Sequence, residues 1–234
     1  MKILQGFALS VSMLSTLPFF KVHHFFKGIN GYAVMFYPLV GGILGCLLYL
    51  FHNIIAPLFP AQHIAILTLG LWVVLTGGLH LDGFSDTIDG LFVHKQKALH
   101  VMKDSHVGGM GMIFTVLFLI LKASTILHVE NFFLLLFVLM FARFGAVVSI
   151  YFFPYISNGM GLLAKQEFSK TQLLATVGYV CLFSILHVEL LLATLITTLT
   201  LCYFFYKRYG GLNGDMYGFI IEVCELVLLN VILI

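Results

Sequence analysis

The feature that most constrains this chain is a series of long apolar runs, at 33–55, 63–81, 110–128, 131–153, 172–187, 189–206 and 217–234. Most approach or exceed the ~20 residues that a helix needs to cross a bilayer. Backbone N–H and C=O groups have no water to bond in lipid, so runs of this kind close their hydrogen bonds within a helix. The chain is 61% hydrophobic with a mean hydropathy of +1.06, whereas soluble domains are about 45–50% apolar. The expectation is an all-α polytopic integral membrane bundle of about seven or eight membrane-embedded helices, forming a single domain over 1–234. The eighth helix depends on run 3–19. Its Gln5, Ser10, Ser12, Ser15 and Thr16 suit either a crossing or a place in the interface.

Charge supports this division. Segments 20–32, 82–109, 154–171 and 207–216 hold Lys21, Lys27, Lys95, Lys97, Lys103, Lys165, Lys170, Lys207 and Arg208, nine of the twelve basic residues. The connections 56–62, 129–130 and around 188 hold none. Such asymmetry assigns the basic loops to the cytoplasm. Seven of the ten acids, Asp82, Asp86, Asp89, Asp104, Asp215, Glu222 and Glu225, belong to the same face or just inside it. A net charge of +2 gives no reason to expect a nucleic-acid partner. Cys46, Cys181, Cys202 and Cys224 sit in apolar runs without a CxxC pair and read as buried small hydrophobes. Gly41 and Gly45 form a GxxxG, which allows close helix contact in lipid.

The chemistry concentrates in Gly77-Gly78-Leu79-His80-Leu81-Asp82-Gly83-Phe84-Ser85-Asp86-Thr87-Ile88-Asp89-Gly90, where three carboxylates fall within eight residues. On a helix, Asp82, Asp86 and Asp89 stand at i, i+4 and i+7 and line one face. Carboxylates so close repel unless protons or a cation neutralise them. Mg²⁺ suits a few carboxylates plus substrate phosphate oxygens. Helix capping accounts for one aspartate, not three. Asp104 follows in Met102-Lys103-Asp104-Ser105-His106-Val107-Gly108-Gly109-Met110-Gly111. Its glycines suit either a backbone that approaches a ligand, with an anion at the next helix N-terminus, or a flexible loop entering a span. Arg143 lies inside an apolar run, where a cation usually faces the bundle interior with an acidic or phosphate partner. Glu222 and Glu225 face the same way, and three roles stay open to them: completing a cation site, pairing with Arg143, or staying protonated. Asp215 ends a Gly-rich turn just before them. His80 and His106, inside the acidic motifs, suit acid–base work, phosphate contact or packing.

The first motif, with Asp82, Asp86, Asp89 and Gly90, resembles the signature of the cobalamin synthase family, the adenosylcobinamide-GDP ribazoletransferases. The resemblance continues in order through Phe36-Tyr37-Pro38-Leu39-Val40-Gly41, Met102-Lys103-Asp104-Ser105 with Gly108 and Gly111, then Arg143, Gly211, Gly214, Asp215, Glu222 and Glu225. The chain departs from the family pattern at Ser15-Thr16-Leu17-Pro18 and at His106, where the family often has an arginine.

The resemblance implies a late step of cobalamin synthesis at a prokaryotic inner membrane, with the active site facing the cytoplasm. The substrates would be adenosylcobinamide-GDP and α-ribazole, or its 5′-phosphate, and the cofactor Mg²⁺. Membrane lipid would surround the protein, and a homo-oligomer is left open. Asp82, Asp86, Asp89 and Asp104 are the expected metal ligands. Asp82, Asp86, Asp104 and His106 are the expected catalytic set. His80, Lys103, Gly108, Gly111, Arg143, Asp215, Glu222 and Glu225 are the expected substrate-binding residues. Two rival readings are a CDP-alcohol phosphotransferase of phospholipid synthesis, whose Asp-x-x-Asp-Gly opening is shared by Asp86-Thr87-Ile88-Asp89-Gly90, and a cation-coupled transporter.

Overall fold

A computed structural model of the protein describes residues 1–18, 22, 25–104 and 106–234. Lys21 and Ser105, named above, lie outside the described residues. The described residues form helices α1 (Lys2–Leu14), α2 (Ile29–Met35), α3 (Tyr37–Ile55), α4 (Ala61–Thr76), α5 (Leu79–Leu91), α6 (Lys95–Val101), α7 (Gly109–Leu127), α8 (Leu135–Phe152), α9 (Met160–Glu167), α10 (Lys170–Ser184), α11 (Val188–Tyr209) and α12 (Gly214–Val231). No strand occurs among them, only an isolated bridge between Tyr155 and Leu212. The all-helical membrane architecture expected from the apolar runs is present, with runs 33–55 and 63–81 each divided between two helices.

The helices differ in how they meet lipid. Four of them, α3, α7, α8 with its leading 3₁₀ turn, and α11, are long and apolar enough to cross a membrane. A fifth span results if α4 and α5 count as one broken crossing. The two are set 88° apart, so we treat α5 as turning out of the crossing. At 15 residues, α10 is only about 22 Å long at ~1.5 Å per residue. α12 carries Asp215, Glu222 and Glu225. α1 has 13 residues, about 20 Å, shorter than the ~30 Å hydrocarbon layer. Run 3–19 therefore does not form a full-length crossing helix. Thr16, just beyond α1, donates its backbone N–H to the Leu75 carbonyl at 2.9 Å, fastening it to the end of α4.

α8 is the interior helix. Its apolar window is 83% buried, whereas those of α7 and α11 are 28% buried and turn side chains such as Val116, Ile120, Ile196 and Leu199 outward. Gly41 and Gly45 let α3 lie against it. A Cβ at Gly41 would come within 2.3 Å of the Leu139 carbonyl oxygen, and one at Gly45 within 2.5 Å of that of Leu135. The GxxxG therefore serves packing. Of the cysteines, Cys202 and Cys224 are buried as expected, but Cys46 is half-buried and Cys181 is exposed, and all four are free. On α10 an outward thiol faces the apolar surroundings that Leu174 and Leu182 also face.

Four charges meet in the interior. Lys122 of α7 donates to Glu222 of α12 at 2.8 Å and also to Glu225. Arg143 of α8 donates to Glu225 as well. The Lys122 ammonium lies 4.2 Å from the centroid of the Trp72 ring of α4, a cation–π contact. All four charged side chains are at most 3% exposed. Two cations and two anions make the group neutral, which is the condition for burying it.

Removing one member leaves an uncompensated buried charge. Lys122→Met should lose about 3–5 kcal/mol of stability, read as a lowered thermal midpoint in detergent. Lys122→Met with Glu222→Met removes one charge of each sign. It should recover most of the loss, so the double-mutant cycle should give a large coupling energy.

Candidate active site

The acidic helix is positioned by glycines. Gly77 and Gly78 hold φ values of 63° and 68°, a left-handed conformation that costs glycine little. This pair makes the corner from α4 into α5. α5 then crosses α12 where neither helix has a side chain in the way. A Cβ on Gly83 would lie 2.8 Å from the Asp215 carbonyl oxygen, and one on Gly218 would lie 3.1 Å from that of His80. α12 starts at this crossing because Asn213 caps it. The Asn213 Oδ1 accepts from the Met216 N–H at 2.9 Å, and its Nδ2 donates to the Asp215 carboxylate at 2.7 Å.

The crossing sets carboxylates from distant parts of the chain against one another. Asp82 is exposed, while Asp86 and Asp215 are half-buried. Burial, then the charges of Asp82 and Asp215, push the Asp86 carboxyl up to about 7. Burial and Asp82 also raise Asp215, against the opposing pull of Asn213 and Lys103. The protein itself leaves this negative charge only partly compensated.

Asp89 has a different place. Its Oδ2 accepts from the Gly108 N–H and its Oδ1 from the Gly111 N–H, both at 2.8 Å. A Cβ at Gly108 or Gly111 would come within 2.3 or 2.4 Å of that carboxylate. The N-terminus of α7 does take an anion, as its glycines suggest, but the anion is the protein's own Asp89. Asp104 and His106 are exposed. The His106 Nδ1 lies 2.7 Å from the Asp104 Oδ1, and the His106 N–H donates to the same oxygen at 3.1 Å. These bonds hold the Asp104 carboxyl below its usual range.

The four aspartates expected to ligate one metal are therefore not gathered as a set. Asp89 is engaged by two backbone amides, and Asp104 is tied to His106. Among the described residues no three His, Cys, Asp or Glu side chains form a ready-made metal-binding group. Asp86 feels the charges of Asp82 and Asp215 most strongly, then those of Asp89 and Asp104. Arg143, Glu222 and Glu225 neutralise one another with Lys122 inside the bundle, away from solvent. Of the three roles open to the two glutamates, the structure has them ion-paired. Lys122 was missed by the sequence reading, although it carries the same signal as Arg143, a cation inside an apolar run.

A cavity of about 490 Å³ opens beside the acids, between α1, the start of α3, α5, α8, α9 and α12. Asp82 and Asp215 stand at its exposed side, and His80 and Tyr217 form part of its buried wall. Tyr217 is the second residue missed, and unlike Lys122 it carries no signal in the sequence. Lys103 is exposed next to Asp104.

The sequence matches known proteins over most of its length. The family model described as cobalamin-5-phosphate synthase matches residues 6–233. An adenosylcobinamide-GDP ribazoletransferase of Acinetobacter baumannii is 37% identical, over 86% of this chain and 85% of its own length. The enzyme of that name from Brevibacillus brevis is 34% identical over 86% of both chains. That from Desulforamulus reducens is 34% identical over 97% of this chain and 95% of its own. No solved structure matches.

The electrostatics of Asp86 can be measured directly. A carboxyl raised in the fold costs stability once it ionises. The cost is absent below the ordinary carboxylate range near pH ~4, grows with pH, and is complete above about 7. Asp86→Asn removes it. In metal-free detergent solution, Asp86→Asn should melt higher than the parent at pH 8 and at the same temperature at pH 4.

Proposed function

Since the chain belongs to the cobalamin-5-phosphate synthase family and is a multi-pass membrane transferase of cobalamin synthesis, we propose that it joins α-ribazole, or its 5′-phosphate, to adenosylcobinamide-GDP with Mg²⁺ and releases GMP. The site works at the cytoplasmic face of a prokaryotic inner membrane. In this reaction the ribazole 3′-hydroxyl attacks the phosphorus attached to cobinamide. A new P–O bond forms, the P–O bond to GMP breaks, and the hydroxyl proton passes to a base.

The observation that carries this reading is the crossing of α5 and α12. It faces Asp82, Asp86 and Asp215 together beside an open cavity. A cluster of acids short of positive charge fits a hard cation, and Mg²⁺ commonly binds through one or two carboxylates with substrate phosphates completing its shell. A preformed trio is not needed for that. Asp82 and Asp86 would hold the ion, with Asp215 alongside. Bound there, it supplies charge neutralisation for the diphosphate and its departing GMP.

The remaining work falls to the protein. Asp104 orients His106 through Nδ1, which leaves Nε2 for the incoming hydroxyl, the arrangement of a general base held by a carboxylate. This gives Asp104 a positioning role in place of metal ligation. Lys103 is an exposed cation next to this pair and suits a phosphate oxygen. Asp89 acts one step away: by holding Gly108 and Gly111 it fixes where the segment bearing Asp104 and His106 enters α7.

Purified protein given Mg²⁺, adenosylcobinamide-GDP and α-ribazole should release GMP and add the nucleoside mass to the corrinoid. Asp82→Asn and Asp86→Asn should each lower kcat on the order of 10³-fold, as loss of a main electrostatic element does in phosphoryl transfer. His106→Ala should lower it about 10²-fold. Full activity in both aspartate variants would remove the metal site from the proposal.

A further inference from the structure

A second concavity, of about 780 Å³, lies at the end of α5 away from Asp82. His94, Lys95 and Lys97 line it from the turn after α5 and the start of α6, and Lys207 and Arg208 line it from the last turn of α11. No Asp or Glu is among the described residues that line it. None of these groups takes part in the reaction proposed above. Membrane orientation accounts for basic residues in a loop by their number. It does not require two segments distant in sequence to face one groove, where like charges repel unless an anion sits between them.

The groove has fixed donors. Arg208 Nε donates to the Tyr209 hydroxyl at 2.9 Å and its Nη2 to the Leu91 carbonyl at 3.1 Å. The Tyr209 hydroxyl in turn donates to the Gly90 carbonyl at 3.3 Å. A guanidinium has five N–H groups, so three remain on a side chain whose direction is already set. The Lys207 ammonium lies 5.4 Å from the centroid of the Tyr203 ring, a cation–π contact that keeps it beside α11.

Depth decides which anion belongs here. α11 has 22 residues, about 33 Å at ~1.5 Å per residue, against a hydrocarbon layer of ~30 Å. Its last turn, with Lys207 and Arg208, therefore emerges at the level of the headgroups. Tyr203, Phe204 and Tyr206 just before it are exposed, as aromatic residues at a membrane boundary are. Phe92, which also lines the groove, is 54% exposed. A soluble phosphate gives that ring nothing to bury against, whereas a lipid brings a phosphate and an acyl chain together.

We propose that this groove binds the headgroup of an anionic phospholipid. Arg208, Lys207 and the lysines of α6 hold its phosphate, and its acyl chain covers Phe92. A basic pocket beside a membrane helix is a general form of such recognition. A zwitterionic headgroup carries its own cation and leaves the charge of the groove uncompensated. An anionic one neutralises it and ties the segment after α5 to the end of α11.

The test needs no substrate. The full chain, purified in detergent and stripped of lipid, is titrated with phosphatidylglycerol or with phosphatidylcholine of the same acyl chains. Bound lipid is counted by native mass spectrometry, alongside the thermal midpoint. Phosphatidylglycerol should bind about 10-fold more tightly or better and raise the midpoint. Lys95→Gln with Lys207→Gln should lower its affinity about 10-fold or more. Lys27→Gln with Lys170→Gln removes the same charge from exposed lysines outside the groove and should leave the affinity unchanged. Inorganic phosphate and GDP should not displace the lipid. Equal affinity for the two lipids, or an equal loss in the two variant pairs, overturns the proposal. Displacement of phosphatidylglycerol by phosphate or GDP gives the groove to a soluble anion and also overturns it. Because GMP release is not read, failure of this site and failure of the reaction are separate results.

Discussion

The rest of the structure depends on the neutral group of Lys122, Arg143, Glu222 and Glu225. A single charge in a lipid-embedded bundle is costly, and four that cancel are tolerable only in the arrangement that lets them touch. Those contacts fix α7, α8 and α12 relative to one another. With α12 held, its first turn has one place to go, and the close approach at Gly83 and Gly218 brings α5 to it. The acidic field of Asp82, Asp86 and Asp215 follows from that contact. Charges buried inside the bundle thus decide where the acids at the crossing stand.

Much of this was legible in the residues. Apolar runs marked the helices because lipid leaves the backbone no alternative. Three aspartates at helical spacing marked the acidic face. Arg143 announced an interior ion pair. What periodicity could not convey was the partner of each group. Asp89 sits at the same spacing as Asp82 and Asp86, yet it serves the amides of Gly108 and Gly111, because α7 happens to begin there. Glu222 and Glu225 share a helix with Asp215 but are drawn inward by Lys122. That lysine was hidden as one polar residue in a long apolar stretch. Tyr217 gave no signal at all, since its place in a cavity wall depends on helices distant in sequence.

Glycine divides the labour in a way composition alone conceals. Gly77 and Gly78 supply a conformation. Gly41, Gly45, Gly83 and Gly218 supply proximity between helices, and Gly108 and Gly111 make room for a carboxylate. The second acidic motif is therefore a docking device for α7 as much as a bearer of Asp104 and His106.

The burial of α8 has a consequence for how the protein tolerates its surroundings. Arg143, Ala146 and Ile150 all belong to a helix that acyl chains scarcely touch, while α11 lies at the rim and α7, equally exposed, is tied inward through Lys122. A thicker or thinner bilayer changes the tilt of rim helices first, at a cost of fractions of a kcal/mol per Å of hydrophobic mismatch. The inner framework is insulated from that adjustment. Lipid composition can therefore vary with growth conditions without reshaping the chamber beneath the acids.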